Sequence, residues 1–171
     1  MGESFDYVVV YDNSCSLKEG DCTHFLDGVG EIISRIKDDD PKHSRVSVVE
    51  FRDHSAEVIV SFYDTPLQRN VKRLINFVKD HGDCTLGDGS TDTMEGVLAA
   101  IAQFADTPKS RNRKIIIVSG CRDTKGEVAD FCADPDGKMG VLDGLGIDVY
   151  AVNLVKASSA KNRINNTQIS G

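Results

Sequence analysis

The chain has no excess of positive charge. Acidic residues outnumber basic ones 27 to 20, giving a formal charge of -7. A nucleic-acid binder or a polybasic membrane surface is therefore not expected, because phosphate needs a basic face. Long apolar runs are also missing. None approaches the ~20 residues of a membrane span, so this domain is not expected to insert into a membrane. No pair of its five cysteines forms CxxC, and no Cys/His cluster has zinc-finger spacing, which argues against a structural zinc site. There is no P-loop and no GxGxxG, the common phosphate cradles. No serine sits in a GxSxG elbow. The four histidines, His24, His43, His54 and His81, fall on helix or turn segments without a partner pattern and read as surface residues. The chain therefore reads as non-enzymatic. Internal repeats and low-complexity linkers are absent as well.

What remains suits one soluble domain. The length is 171 residues, 40% apolar and 27% charged, enough for a single core and too balanced for disorder. Residues 1–171 are read as one domain. A strand-like run begins at Phe5 and leaves no room for a leader. The expectation is thus either a cytosolic protein or a domain of a longer secreted chain. Asn165-Asn166-Thr167 is a glycosylation sequon, a short pattern that chance produces often.

Strand and helix patterns alternate. Phe5 to Tyr11 (FDYVVVY) is nearly continuous and β-branched, as in a strand buried on both faces. From Cys22 to Lys37, Phe25, Val29, Ile32, Ile33 and Ile36 recur at helical spacing, and Asp38-Asp39-Asp40-Pro41 stops the helix. Arg45 to Phe51 and Glu57 to Tyr63 read as an antiparallel hairpin at a sheet edge. Asp64 or Thr65 caps the next helix, with Pro66 in its first turn and Leu67, Val71, Leu74, Ile75 and Val78 as its buried stripe. His81 to Ser90 is a Gly- and Asp-rich loop. Thr93 to Phe104 is a third helix with Val97, Leu98, Ile101 and Phe104 on one face. Lys114 to Val118 and Ile147 to Val155 are further strands, with short helical candidates at Glu127 to Cys132 and Lys138 to Leu145 between them. The predicted fold class is α/β: an open, mostly parallel, doubly wound sheet with one antiparallel edge strand and helices on both faces. Ligands of such sheets sit at the carboxyl ends of the strands.

Three loops fall at those ends: Asp12 to Ser16, Ser90 to Thr93, and Ser119 to Asp123. All are rich in hydroxyls and carboxylates, and none offers a nucleophile–histidine pair. Hard oxygen donors without imidazole or thiolate suit Mg²⁺ or Ca²⁺ rather than zinc or copper. Asp12 and Ser14 would serve equally as a turn and helix N-cap, and Thr91 as the N-cap of the third helix.

Asp12-x-Ser14-x-Ser16 directly after a buried strand resembles the metal-ion-dependent adhesion site of von Willebrand factor A domains, also called integrin I domains. Gly89-Ser90-Thr91-Asp92-Thr93 opening a helix is similar to that family's Gly-x-Thr-x-Thr loop. The resemblance covers about residues 5–155. It implies that Ser14, Ser16 and Thr91 give hydroxyl oxygens to the metal, with Asp12 acting directly or through water. The ion would be Mg²⁺ (or Mn²⁺ or Ca²⁺), bound weakly. Its open position would capture an Asp or Glu of an extracellular protein or matrix ligand, in cell adhesion at a cell surface or in a secreted protein. A metal-silent intracellular scaffold of the same fold is the alternative.

The sequence departs from that family in two places. The Asp-Gly expected after the central strand is Ser119-Gly120, so Ser119 stands where an acid is usual, and Asp123 or Asp92 would have to compensate. The segment 156–171 is too short and too weakly patterned for the expected last strand and helix, and reads as atypical or truncated. A missing helix would leave apolar sheet surface exposed. In an extracellular setting the fold would gather Cys15, Cys22, Cys84 and Cys121 at one end of the sheet. At least one disulfide is expected among these four, with Cys132 unpaired unless Cys121 reaches it locally; five free thiols in a reducing compartment are the alternative.

Overall fold

A computed structural model describes residues 4–12, 19–39, 42–52, 55–82, 93–105, 107–108, 111–119, 144–156 and 162–169. The elements are β1 (Phe5–Asp12), α1 (Glu19–Asp39), β2 (Ser44–Arg52), β3 (Ser55–Val60), α2 (Thr65–Gln68), α3 (Val71–His81), α4 (Thr93–Gln103), β4 (Asn112–Ser119), β5 (Ile147–Lys156) and β6 (Asn162–Ile169). They form one six-stranded sheet in the order β3-β2-β1-β4-β5-β6. The pairs β1–β2, β1–β4 and β4–β5 are parallel, and β2–β3 is antiparallel.

The alternation of β1 explains its central place. Val9 and Tyr11 enter one core with Phe25, Leu26, Val29 and Ile33 of α1 and with Leu74 and Val78 of α3. Val8 and Val10 enter the other with Val97, Ala100 and Phe104. A strand covered by helices on both faces has no room for polar side chains in its middle, hence VVV in β1 and III in β4. Gly146, with φ at 69°, makes the left-handed turn into β5 that a side chain would resist.

The amino edge of the sheet is stapled by charge. Asp6 is fully buried and accepts from Arg45 Nε and Nη2, each at 2.8 Å, and from Arg111 Nε at 2.7 Å. Arg111 also donates to the His43 carbonyl at 2.8 Å. One carboxylate thereby joins β1, β2 and the entry to β4. The hydrogen bond to Asp6 is the main reason that the Arg45 guanidinium holds its proton more tightly than usual.

Several expectations need correction. The helix expected after Pro66 is two pieces, because the α2 turn ends at Gln68 and Asn70 caps α3 by accepting from Arg73 N at 3.0 Å. Asp64 holds the N-cap position of α2, but its side chain makes no capping bond. The hairpin arm stops at Val60, so Phe62 and Tyr63 lie in a turn. Leu98 is 51% exposed rather than part of the buried stripe of α4. Its neighbours Val97 and Ala100 face the sheet instead. The polar tail contains a second antiparallel edge strand, β6, paired along β5 from Lys156↔Asn162 to Val149↔Ile169. An edge strand pairs through its backbone, so its sequence (NRINNTQI) needs no apolar run to announce it. The helical candidates at 127–132 and 138–145 fall outside the described residues, apart from 144 and 145.

Candidate metal centre

The order of strands fixes where a ligand can sit. From β1 the chain crosses to β2 on one side and later returns to β4 on the other. The crevice at such a switch point opens at the carboxyl ends of the two strands that flank it. In this sheet they are β1 and β4. The last residue of β1 is Asp12, the last of β4 is Ser119, and the two are partners in register. Ser119 is in turn the partner of Asn153 in β5. An acid and a hydroxyl residue widely separated in sequence are thus brought side by side at the crevice.

α4 brings a third segment to this edge. Its first turn packs so closely that a β-carbon at Gly96 would lie 2.9 Å from Val10 Cγ1 and 3.4 Å from Phe51 Cβ. Val10 and Phe51 lie close to the carboxyl ends of β1 and β2. The start of α4, two residues after Thr91, is therefore held at the same end of the sheet as Asp12. Ser14, Ser16, Thr91, Asp92 and Asp123 themselves lie outside the described residues. So do Cys15, Cys84, Cys121 and Cys132. Among the described residues, no group of three or more His, Cys, Asp or Glu converges on a point. Asp12 and Ser119, in register at the two strand ends, are residues with hard oxygen donors, and that chemistry fits a hard divalent cation.

The ground beneath the site holds a contact that sequence reading missed. Tyr11, fully buried, donates to Glu50 Oε2 at 2.8 Å, one position before Asp12. The Tyr11 ring packs against Phe25 of α1, with centroids 6.3 Å apart. The bond fixes the end of β1 to β2 below the crevice. An acid following Val46 and Val48 on one strand face was the available signal, since a buried carboxylate needs a donor. Cys22, in the first turns of α1, is buried. His24, His43 and His81 are exposed, as expected for surface histidines.

With that geometry in view, comparison with known proteins is decisive. The family model of the von Willebrand factor type A domain matches residues 7–122. The chain belongs to that family. The von Willebrand factor A fold recurs in solved structures at low identity. Proximal thread matrix protein 1 from the mussel byssus aligns with TM-score 0.63 and 16% identity over 88% of this chain and 37% of its own. A structure of that mussel protein with a zinc-occupied adhesion-site motif aligns with TM-score 0.64 and 16% identity, over 88% and 38%. BatB from Bacteroides thetaiotaomicron gives 0.61 and 15% over 98% and 82%, and the SpRpn10 VWA domain 0.62 and 15% over 91% and 78%. This chain therefore spans little more than a third of the mussel protein. No curated protein sequence matches it significantly. Von Willebrand factor A domains are generally non-catalytic modules of protein interaction, and no described helix is long and apolar enough to cross a membrane.

Proposed function

We propose that this domain captures a carboxylate of a partner protein through a divalent cation held in the crevice between β1 and β4. The pairing of Asp12 with Ser119 at the switch point carries this reading. Ser14, Ser16 and Thr91 supply neutral hydroxyl oxygens, and Asp12 and Ser119 complete the set. With a single carboxylate near it, the bound ion keeps net positive charge toward solvent, so it attracts an anionic group even on an acidic chain. The same shortage of charge makes the ion weakly held. The zinc in the mussel protein's site supports a divalent ion of some kind. Mg²⁺ or Mn²⁺ suits the hydroxyl-rich set of this chain better than zinc. The work of the domain is binding, with no chemical step. A secreted or cell-surface protein engaged in adhesion is the setting of this reading, one that a disulfide at Cys22 would suit.

The second reading is a metal-silent scaffold that binds partners through other surfaces. Ser119 in place of an acid favours it. A surface assay separates the two. Peptides carrying one glutamate, or one glutamine in its place, are immobilised and the domain is passed over them with Mn²⁺ and then with EDTA. Retention on the glutamate peptide alone, reversed by EDTA, is expected. Equal retention on both, or no effect of EDTA, would leave the scaffold reading standing.

A further inference from the structure

We propose that β3 is a docking edge for an extended segment of a partner protein, added antiparallel as a further strand and carrying Lys or Arg opposite Glu57. β3 ends the sheet, and among the described residues no strand lies beyond it. The direction of its backbone groups follows from Gln68. That carboxamide accepts from Val46 N at 3.0 Å and donates to Val46 O at 2.7 Å and to Ser61 O, just past β3, at 3.0 Å. Val46 therefore turns both backbone groups toward the β3 side. These groups alternate along a strand, so Glu50 faces β3 as well. Glu50 and Glu57 are partners in register, which points the Glu57 groups inward to β2. Ala56 and Val58 then direct their N–H and C=O groups outward. Among the described residues, neither makes a hydrogen bond there. Gln68 closes the edge of β2 beyond β3, and the edge of β3 itself stays open.

The side chains at this edge suit a strand. Val58 is 42% exposed and shares the α4 face of the sheet with its partner Val49. Glu57 lies on the opposite face with its side chain 70% exposed, 3.8 Å from His81 Nε2 of α3. Phe77 stacks on His81 and is itself exposed. A docked strand thus meets an apolar residue on one face and an acid near an aromatic ring on the other.

Charge selects the occupant. A strand that bonds all four outward groups places one residue directly opposite Glu57. That residue forms a non-hydrogen-bonded pair, the closer kind, with Cα atoms about 4.5 Å apart. For a second copy pairing symmetrically through β3, it would be Glu57 again, and like charges directly opposite are destabilising. Glu57 already stands beside Glu50 across the β2–β3 ladder. A cation opposite Glu57 offsets both acids, on a chain whose net charge is -7. The matching segment reads apolar-basic-apolar, its apolar residues beside Ala56 and Val58 and its basic residue on the side of Phe77. This edge needs no metal, so it stands apart from the crevice between β1 and β4.

Fluorescence polarisation of a labelled Thr-Thr-Val-Lys-Val-Thr-Thr peptide with the full chain, in EDTA, tests the proposal. Saturable binding is expected, roughly fivefold weaker for the peptide with Glu in place of Lys. Glu57→Lys should reverse that preference. N-methylation of both valines removes the N–H groups offered to the Ala56 and Val58 carbonyls and should abolish binding. Amide exchange at Ala56 and Val58 should slow when the Lys peptide binds. No binding, equal binding of the Lys and Glu peptides, or undiminished binding of the N-methylated peptide overturns the proposal. So does sedimentation of the chain as a dimer that the peptide splits, since β3 would then hold a second copy. EDTA keeps the result separate from the metal reading.

Discussion

Substituting Gly96 by alanine tests how α4 is held at the carboxyl edge. The added methyl would lie 2.9 Å from Val10 Cγ1 and 3.4 Å from Phe51 Cβ. Neither neighbour can retreat easily. Val10 is β-branched and 3% exposed, and the Phe51 contact is to Cβ, which moves only with the backbone. Overpacking of this kind costs about 1–3 kcal/mol. Helix propensity opposes it, since alanine is better than glycine in a helix interior by about 0.5–1 kcal/mol. The net expectation is a loss of roughly 0.5–2 kcal/mol, or a melting temperature lowered by about 2–6 °C in a domain of this size. Denaturant and thermal unfolding measure it, with Gly144→Ala as control because nothing among the described residues lies within 4 Å of a β-carbon there. If propensity alone decides, Gly96→Ala will be more stable than the parent chain, and the close approach of α4 to β1 and β2 is refuted.

Three further outcomes follow from the same geometry. Asp6→Ala leaves two guanidinium groups unpaired at the amino edge. Their side chains are 24% and 18% exposed, so the loss should be about 2–4 kcal/mol, somewhat below that of a fully buried pair, by denaturant unfolding. Burial raises the Tyr7 phenol above 10.0, a shift partly offset by the Lys114 charge. A raised folded value means stability that is whole below the unfolded value and lost as pH rises through the folded one. Melting temperature should fall from about pH 10 upward, and Tyr7→Phe should flatten that fall. Ser119→Asp adds a carboxylate beside Asp12 and should tighten Mn²⁺ binding roughly tenfold, about 1.4 kcal/mol, in a calorimetric titration.

The buried strands were legible because burial on both faces leaves only apolar residues in β1 and β4. α1 was legible from the spacing of Phe25, Val29, Ile33 and Ile36. β6 was not, since an edge strand is held by backbone bonds that polar side chains do not betray. The break at Arg69 and Asn70 was hidden because the apolar spacing runs across it, and the cap at Asn70 decides it. At the site, Asp12 and Ser119 could each be read from motif position. Their adjacency is a matter of register between strands more than a hundred residues apart, and it needed the fold. The Tyr11–Glu50 bond and the Asp6 staple were out of reach for the same reason. Each joins strands whose pairing no local pattern states.

The central claim is that a cation binds where β1 and β4 end. Calorimetric titration of Mg²⁺ and Mn²⁺ into the parent chain and into Asp12→Ala tests it most directly, with circular dichroism to confirm that both are folded. A weak, saturable, one-site isotherm in the parent chain that vanishes in the variant is the predicted result. Identical isotherms, or none in the parent chain, would contradict the account.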